Sequence, residues 1–201
     1  CEAAGADVTQ LAEAIGYDPR IGNRFLAAGL GFGGGCLPKD IRAFMARAAE
    51  LGAENAVAFL REVDQINLRR RTRTVDLARE ALGGSFRDRR VTVLGASFKP
   101  DSDDVRDSPS LDVAVAMSNA GAQVVVHDPK GLVNAERVYP HMYYDADLTT
   151  ALAHAELVRG DDDLRTIADD SGLIGYEGEQ GAQPVPGAGQ ESDSSRESDE
   201  S

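Results

Sequence analysis

One stretch of this sequence, Gly31-Phe32-Gly33-Gly34-Gly35-Cys36-Leu37-Pro38-Lys39-Asp40, has the residue types of a nucleophilic site. Cys36 lies between a glycine-rich segment and a helix expected to start near Pro38, since proline suits a first helical turn. That turn carries unpaired N–H groups and a partial positive charge, a setting in which cysteine thiols become nucleophilic. Lys39 adds positive charge, and Asp40 can position a water or hold a proton. The glycines let backbone N–H groups approach an anion such as a diphosphate. Together these residues suit covalent catalysis on a carbonyl carbon of a phosphorylated substrate. The competing reading is a small buried hydrophobe, the usual state of a lone cysteine. The two readings predict opposite surroundings for the sulfur.

The elements that must position Cys36 follow from periodicity and punctuation. Residues 6–15 read as a short helix with Asp7 as N-cap and Val8, Leu11, Ala12 and Ile15 on one face. Gly16 and Asp18-Pro19 end it. Residues 22–36 hold too many glycines for a helix or strand and read as a loop. Ile41, Phe44, Met45, Ala48 and Leu51 then recur at helical spacing up to Gly52. A longer helix is expected from Asn55 to Leu82, with Val57, Leu60, Val63, Ile66, Leu77 and Ala81 in its stripe and Gly83-Gly84 as its stop. A helix of that length needs a partner along its flank, a second subunit being one.

Near residue 90 the pattern changes. Val91–Leu94 reads as a buried strand. Ser108-Pro109 opens a helix that reaches Ala120, and Val124–Val126 reads as a second strand ending at Asp128-Pro129. This is one β–α–β unit of a parallel sheet, too small to stand alone. A further helix is expected over 147–157. Beyond it periodicity fades, and the segment 159–201 reads as a disordered acidic tail.

The 201 residues carry a formal charge of −13. Residues 159–201 contain twelve acidic and three basic residues, so −9 belongs to the tail and −4 to the rest. The acidity argues against nucleic acid as a partner. The run Arg69-Arg70-Arg71 with Arg73 reads as a solvated helix face or a subunit contact. No run of 18 apolar residues occurs, so no membrane span is expected. Cys1-Glu2-Ala3-Ala4-Gly5 lacks a basic segment followed by an apolar one and does not read as a signal peptide. Two cysteines, Cys1 and Cys36, make no disulfide framework and fit a reducing, cytoplasmic setting. His127, His141 and His154 have no metal-ligand spacing, so no metal site is expected.

The sixteen residues Phe25-Leu26-Ala27-Ala28-Gly29-Leu30-Gly31-Phe32-Gly33-Gly34-Gly35-Cys36-Leu37-Pro38-Lys39-Asp40 resemble the active-site signature of the UDP-glucose/GDP-mannose dehydrogenase family. The form is closest to the UDP-glucose branch, with Gly35 where serine is common. A second stretch, Leu94 to Ser110, is similar to the strand, loop and helix start of the family's C-terminal domain. The resemblance spans about residues 1–158. It implies an α/β chain: a helical central dimerisation domain over 1–88, then a partial Rossmann-like parallel α/β domain over 89–158 that holds the nucleotide of a sugar donor.

By the same resemblance, the family oxidises C6 of UDP-glucose to a carboxylate with two hydride transfers to NAD, through a cysteine thiohemiacetal and thioester. Carried over by position, Cys36 is the nucleophile and Asp40 assists hydrolysis. Phe25, Leu26, Ala27, Ala28, Gly29 and Gly33 line the substrate, largely through backbone, and Lys99 contacts the nucleotide sugar. Lys39 lies near NAD, and Arg106 reaches toward it. Without the resemblance, Lys39 and Lys99 read as solvated lysines. Arg106 then reads as a weak surface pair with Asp103 or Asp107.

The chain starts at Cys1 without an initiator Met, and Gly95-Ala96-Ser97 is not a Gly-x-Gly-x-x-Gly turn. It therefore reads as a C-terminal fragment lacking the family's N-terminal NAD-binding domain, with little or no hydride transfer of its own. Two alternatives stay open: an inactive nucleotide-sugar-binding and dimerisation module, and a GDP-mannose dehydrogenase fragment.

Overall fold

The computed structural model describes residues 1–153, 155–159 and 174–176. Helix α1 (Val8–Gly16) starts where expected: Asp7 adopts an extended N-cap conformation and accepts from the Thr9 amide at 2.8 Å. Its Leu11 and Ile15 stay exposed. Helix α2 (Leu37–Glu50) begins one residue before Pro38, with Cys36 as N-cap, and closes at Gly52 in the left-handed region. Helix α3 (Ala58–Ala81) follows a 3-10 turn over Glu54–Val57, so its regular part starts three residues later than Asn55. It stops at Gly83-Gly84, both at positive φ, where the Gly84 amide donates to the Arg79 carbonyl at 2.8 Å. These positive φ values are the reason glycine ends the helix.

The two halves of α3 live in different surroundings. Val75, Ala78 and Leu82 at its C-terminal end are buried in the main core. Phe59, Val63 and Ile66 at its N-terminal end are exposed, as is Phe44 of α2.

The second part of the chain runs β1 (Arg90–Leu94), α4 (Pro109–Asn119), β2 (Gln123–His127), α5 (Leu132–Val138), β3 (Tyr143–Tyr144), α6 (Leu148–Leu152), β4 (Leu157–Arg159) and β5 (Ile174–Tyr176). The five strands form one parallel sheet in the order β3-β2-β1-β4-β5. Central β1 is apolar from Val91 to Leu94 apart from Thr92 because both its faces are covered: Val91, Thr92, Val93 and Leu94 are all buried. Thr92 satisfies its hydroxyl by donating to the Ala151 carbonyl of α6 at 2.6 Å. Ser108 caps α4 through the Leu111 amide, and Pro109 takes the first helical position, as the sequence predicts.

The sheet is larger than the expected two-stranded unit. The helix expected over 147–157 ends at Leu152, and Leu157 instead sits fully buried in β4 beside Val91. Of the segment expected to be disordered, Arg159 belongs to β4 and Ile174–Tyr176 pair with it as β5. Residues 160–173 and 177–201, and His154, lie outside the described residues. The extra strands are two or three residues long. Such pieces carry too few side chains for a period-2 signal, and they form by adding to an edge that already exists.

Asp128, just past β2, ties two loops together. Its oxygens accept from the amides of Ala96 (2.7 Å), Ser97 (3.2 Å), Lys130 (2.7 Å) and Gly131 (2.6 Å). Burial works to raise its pKa, but these four backbone bonds prevail and hold it below the ordinary carboxylate value. A pKa depressed on folding stabilises above the unfolded carboxyl pKa of about 4, and that contribution fades as pH falls below it. Asp128→Asn swaps one acceptor oxygen for a donor and leaves buried amides unpaired. It should cost about 2 kcal/mol, read by urea unfolding at pH 7, and the gap from wild type should narrow toward pH 3.

Candidate active site

The Cys36 loop is pressed between α3 and the loop 95–108 that joins β1 to α4. Asn67 of α3 grips Phe32 from both sides: the Phe32 amide donates to Asn67 Oδ1 at 2.7 Å, and Asn67 Nδ2 donates to the Phe32 carbonyl at 2.8 Å. Gly31 has φ of +95°, and a Cβ there would sit 2.2 Å from Asn67 Oδ1. The next three glycines meet loop 95–108 in turn. A Cβ on Gly33 would lie 2.2 Å from the Asp107 carbonyl oxygen, one on Gly34 2.7 Å from the Phe98 ring, and one on Gly35 2.6 Å from the Arg106 guanidinium carbon. The glycines are therefore required by close approach to a second part of the chain. Sequence alone offers only an approach to a ligand as their reason.

Cys36 is exposed and is the N-cap of α2. Its carbonyl accepts the first helical bond, from the Asp40 amide at 2.8 Å, and its side chain makes no capping bond. The N–H groups of Leu37 and Lys39 precede the first intrahelical bond, so their charge remains available at the thiol end. The buried-hydrophobe reading of Cys36 does not hold. Asp40 stands one helical turn away on the same side of α2, with Lys39 Nζ 3.3 Å from its carboxylate. Asp40 also joins Leu37, Ile41, Ala43, Phe44 and Leu60 in lining an open apolar groove.

Lys99 and Arg106 both sit on loop 95–108, exposed. Lys99 Nζ stands 5.3 Å from the centre of the Phe98 ring. Arg106 pairs bidentately with Asp104, at 2.9 and 2.6 Å, rather than with Asp103 or Asp107. That guanidinium holds the Asp104 carboxyl down at about 2. Leu26, Ala27 and Ala28 line a separate groove against Val8, Ala12 and Glu13 of α1. Phe25 is fully exposed at φ +64°. The structure thus brings Gly33, Cys36, Lys39, Asp40 and Arg106 to one loop junction. Leu26, Ala27 and Ala28 border the groove against α1 instead.

One residue of this junction is misread in sequence. Arg71, expected on a solvated face or at a subunit contact, is 6% exposed. Its Nη1 donates to Asp107 Oδ1 at 2.9 Å and to Asp112 Oδ2, and its Nη2 donates to the Phe32 carbonyl at 3.3 Å. The neighbouring arginines of the run gave no sign of this. The signal available was spacing: Asn67 and Arg71 are four apart, on one helix face. Asp107 itself has φ of +47° and also faces Arg42 Nη1 at 3.9 Å. Among the described residues no group of three or more metal-ligating side chains occurs, and no helix is long and apolar enough to cross a membrane.

The order β3-β2-β1-β4-β5 puts the topological switch point between β1 and β4. Open parallel sheets bind ligands there, outside the carboxyl ends of the strands. Loop 95–108 leaves β1 at that end, so the Cys36 loop docks beside the crevice. Docking leaves different tolerances along the glycine run. Gly33→Ala meets fixed backbone and should cost about 2 kcal/mol, read by urea unfolding. Gly35→Ala meets only the end of a mobile arginine and should stay within about 0.5 kcal/mol of wild type.

Residues 1–69 match the UDP-glucose/GDP-mannose dehydrogenase family, central domain, and residues 92–160 match the same family's UDP binding domain. The chain is 38% identical over 156 residues to UDP-glucose 6-dehydrogenase of Rhizobium meliloti, covering 78% of this chain and 35% of that protein. It is 39% identical over 172 residues to UDP-glucose 6-dehydrogenase AglM of Haloferax volcanii, covering 85% and 39%. Among solved structures, a UDP-glucose dehydrogenase from Pyrobaculum islandicum superposes with TM-score 0.70 at 39% identity, covering 79% of this chain and 36% of that one. The GDP-mannose dehydrogenase from Pseudomonas aeruginosa superposes with TM-score 0.65 at 25% identity, covering 87% and 42%. The chain thus spans little more than a third of the length of the curated relatives named here. With the cysteine signature on the first matched segment and the parallel sheet on the second, the chain belongs to the UDP-glucose/GDP-mannose dehydrogenase family.

Proposed function

We propose that this chain provides the cysteine nucleophile and the nucleotide-sugar-binding part of a UDP-glucose 6-dehydrogenase active site. One observation carries the reading: an exposed Cys36 caps α2 on a glycine loop seated beside the switch-point crevice. The relatives' names, UDP-glucose 6-dehydrogenase, favour UDP-glucose as substrate.

NAD supplies the hydride acceptor in this reaction. The C6 alcohol of the sugar first loses a hydride and its hydroxyl proton to become an aldehyde. The Cys36 sulfur then adds to the aldehyde carbon as its proton passes to the aldehyde oxygen, giving a thiohemiacetal. Loss of hydride from that carbon, and of the hydroxyl proton, leaves a thioester. Asp40 then orients water onto the thioester carbonyl; the C–S bond breaks, the thiol regains its proton, and a carboxylate leaves. Lys99 and the Gly33 backbone hold the donor, with Phe25, Leu26, Ala27, Ala28 and Gly29 forming an outer wall of the substrate path.

Two exposed cations, Lys39 and Arg106, suit the edge of an anionic dinucleotide. The acid at the end of β2 does not serve an NAD ribose, since Asp128 is buried and both its oxygens are taken by backbone amides. The crevice of this domain therefore suits the sugar nucleotide, and Lys39 and Arg106 would be the residues that reach NAD. A free thiol nucleophile fits a reducing, cytoplasmic setting. The exposed Phe44, Phe59, Val63 and Ile66 fit burial between two copies of the central helices. In that case Phe44→Glu should shift sedimentation from dimer to monomer. A monomeric wild type would remove the dimer from the reading.

The nucleophile assignment has a direct test. In a Cys1→Ser background Cys36 is the sole thiol, and saturating UDP-glucose should slow its alkylation by iodoacetamide by about ten-fold. GDP-mannose should protect less. Equal rates with and without UDP-glucose would defeat the proposal.

A further inference from the structure

We infer that Arg71 is the positioning residue of the Cys36 loop: its buried guanidinium holds Phe32 of the loop to Asp107 and Asp112 of the UDP-binding domain, fixing where the thiol stands relative to the nucleotide crevice. The inference rests on the reading of Cys36 as nucleophile. It is carried by three contacts on a single guanidinium. The Phe32 carbonyl lies four residues before Cys36 and accepts from Nη2 at 3.3 Å. Asp107, in the β1–α4 loop, accepts from Nη1 at 2.9 Å. Asp112, in the first turn of α4, accepts from the same nitrogen.

These contacts run from α3 of the central domain to two elements of the neighbouring one. The loop has few other anchors there. The Gly34 amide reaches the Asp107 carbonyl only at 3.4 Å, and the packing of Gly33–Gly35 onto Asp107, Phe98 and Arg106 is a matter of fit. The fit requires Asp107 to keep its left-handed backbone, which costs energy for a residue with a Cβ. An ion pair from Arg71 offsets that cost.

The guanidinium is also badly placed for any role outside the junction. It is 6% exposed, so it cannot serve solvent or a second subunit. Its Nε–H finds no acceptor among the described residues. A buried donor left unpaired is unfavourable, and it shows that the side chain is held by its Nη groups. Separate donors aimed at the carboxylates (Nη1) and at the loop carbonyl (Nη2) are what the single nitrogen of lysine cannot reproduce. Arg71 touches neither Cys36 nor the groove beside Asp40, so it acts through the loop.

The test uses the full chain in the Cys1→Ser background, with Arg71→Met, Arg71→Lys and Asp112→Asn. Two readouts are taken: amide hydrogen exchange without ligand, and protection of Cys36 from iodoacetamide by UDP-glucose. In Arg71→Met, the Phe32 and Gly34 amides should exchange about ten-fold faster while Val91–Leu94 in β1 keep their wild-type rates. Protection of Cys36 by UDP-glucose should fall to near zero. Arg71→Lys should recover part of both, and Asp112→Asn should lie between wild type and Arg71→Met. Unchanged loop exchange, or acceleration shared equally by β1, overturns the inference. Should Arg71→Met fail to fold, Asp112→Asn decides: faster exchange at Gly34 with β1 unchanged upholds it, and no acceleration overturns it. Loop loosening in the variants with no UDP-glucose protection in the wild type would sink the nucleophile reading and leave the positioning role standing.

Discussion

A buried guanidinium shared between a loop carbonyl and two carboxylates is the constraint on which this arrangement turns. Arg71 spans α3, the glycine run and the start of α4. Removing an arginine from water is expensive, and only well-placed acceptors offset it. The two carboxylates keep 26% and 42% of their side-chain surface exposed, so solvent screens their side of the pairs while the arginine stays covered. The burial is possible because the Asn67 amide and four close-packed glycines bring main chain near enough to receive it. The glycine loop and the arginine are therefore one device, and neither has an evident reason without the other.

From that junction the chemistry reads outward. The loop delivers Cys36 to the N-terminus of α2 with the sulfur facing solvent, and Asp40 follows one turn on. The opposite wall is loop 95–108, placed by the buried β1 strand and by the four amide bonds of Asp128. A sheet core thus fixes one side of the site, and a helix end fixes the other. The exposed apolar surface of α2 and of the first half of α3 lies away from this core, where the chain on its own leaves it uncovered. That separation explains how one helix can serve both a buried junction and an open face.

Legibility in sequence followed the range of the forces. Asp7, Ser108-Pro109 and Gly83-Gly84 were readable because capping and helix stopping act within a few residues. The strands β1 and β2 were readable as apolar runs. The strands β3, β4 and β5 were not, since pieces of two or three residues owe their form to the neighbour they pair with. The same limit produced the overlong helix over 147–157, where the burial of Leu157 beside Val91 outweighs local propensity.

What the residues determined by themselves was the chemistry on offer. A cysteine before a proline-opened helix, preceded by glycines and followed by Lys39 and Asp40, has the residue types of a nucleophilic site, provided the fold exposes it. Whether it was exposed, and against what the glycines packed, depended on contacts with residues from Asn67 to Asp107, far from the loop in sequence. Tertiary structure alone decided that Gly33–Gly35 accommodate Asp107, Phe98 and Arg106. It also decided that one arginine of a basic run is buried while the run as a whole looks solvated. The reason is physical: a charge's environment is set by all the groups around it, and linear spacing records only those on its own helix.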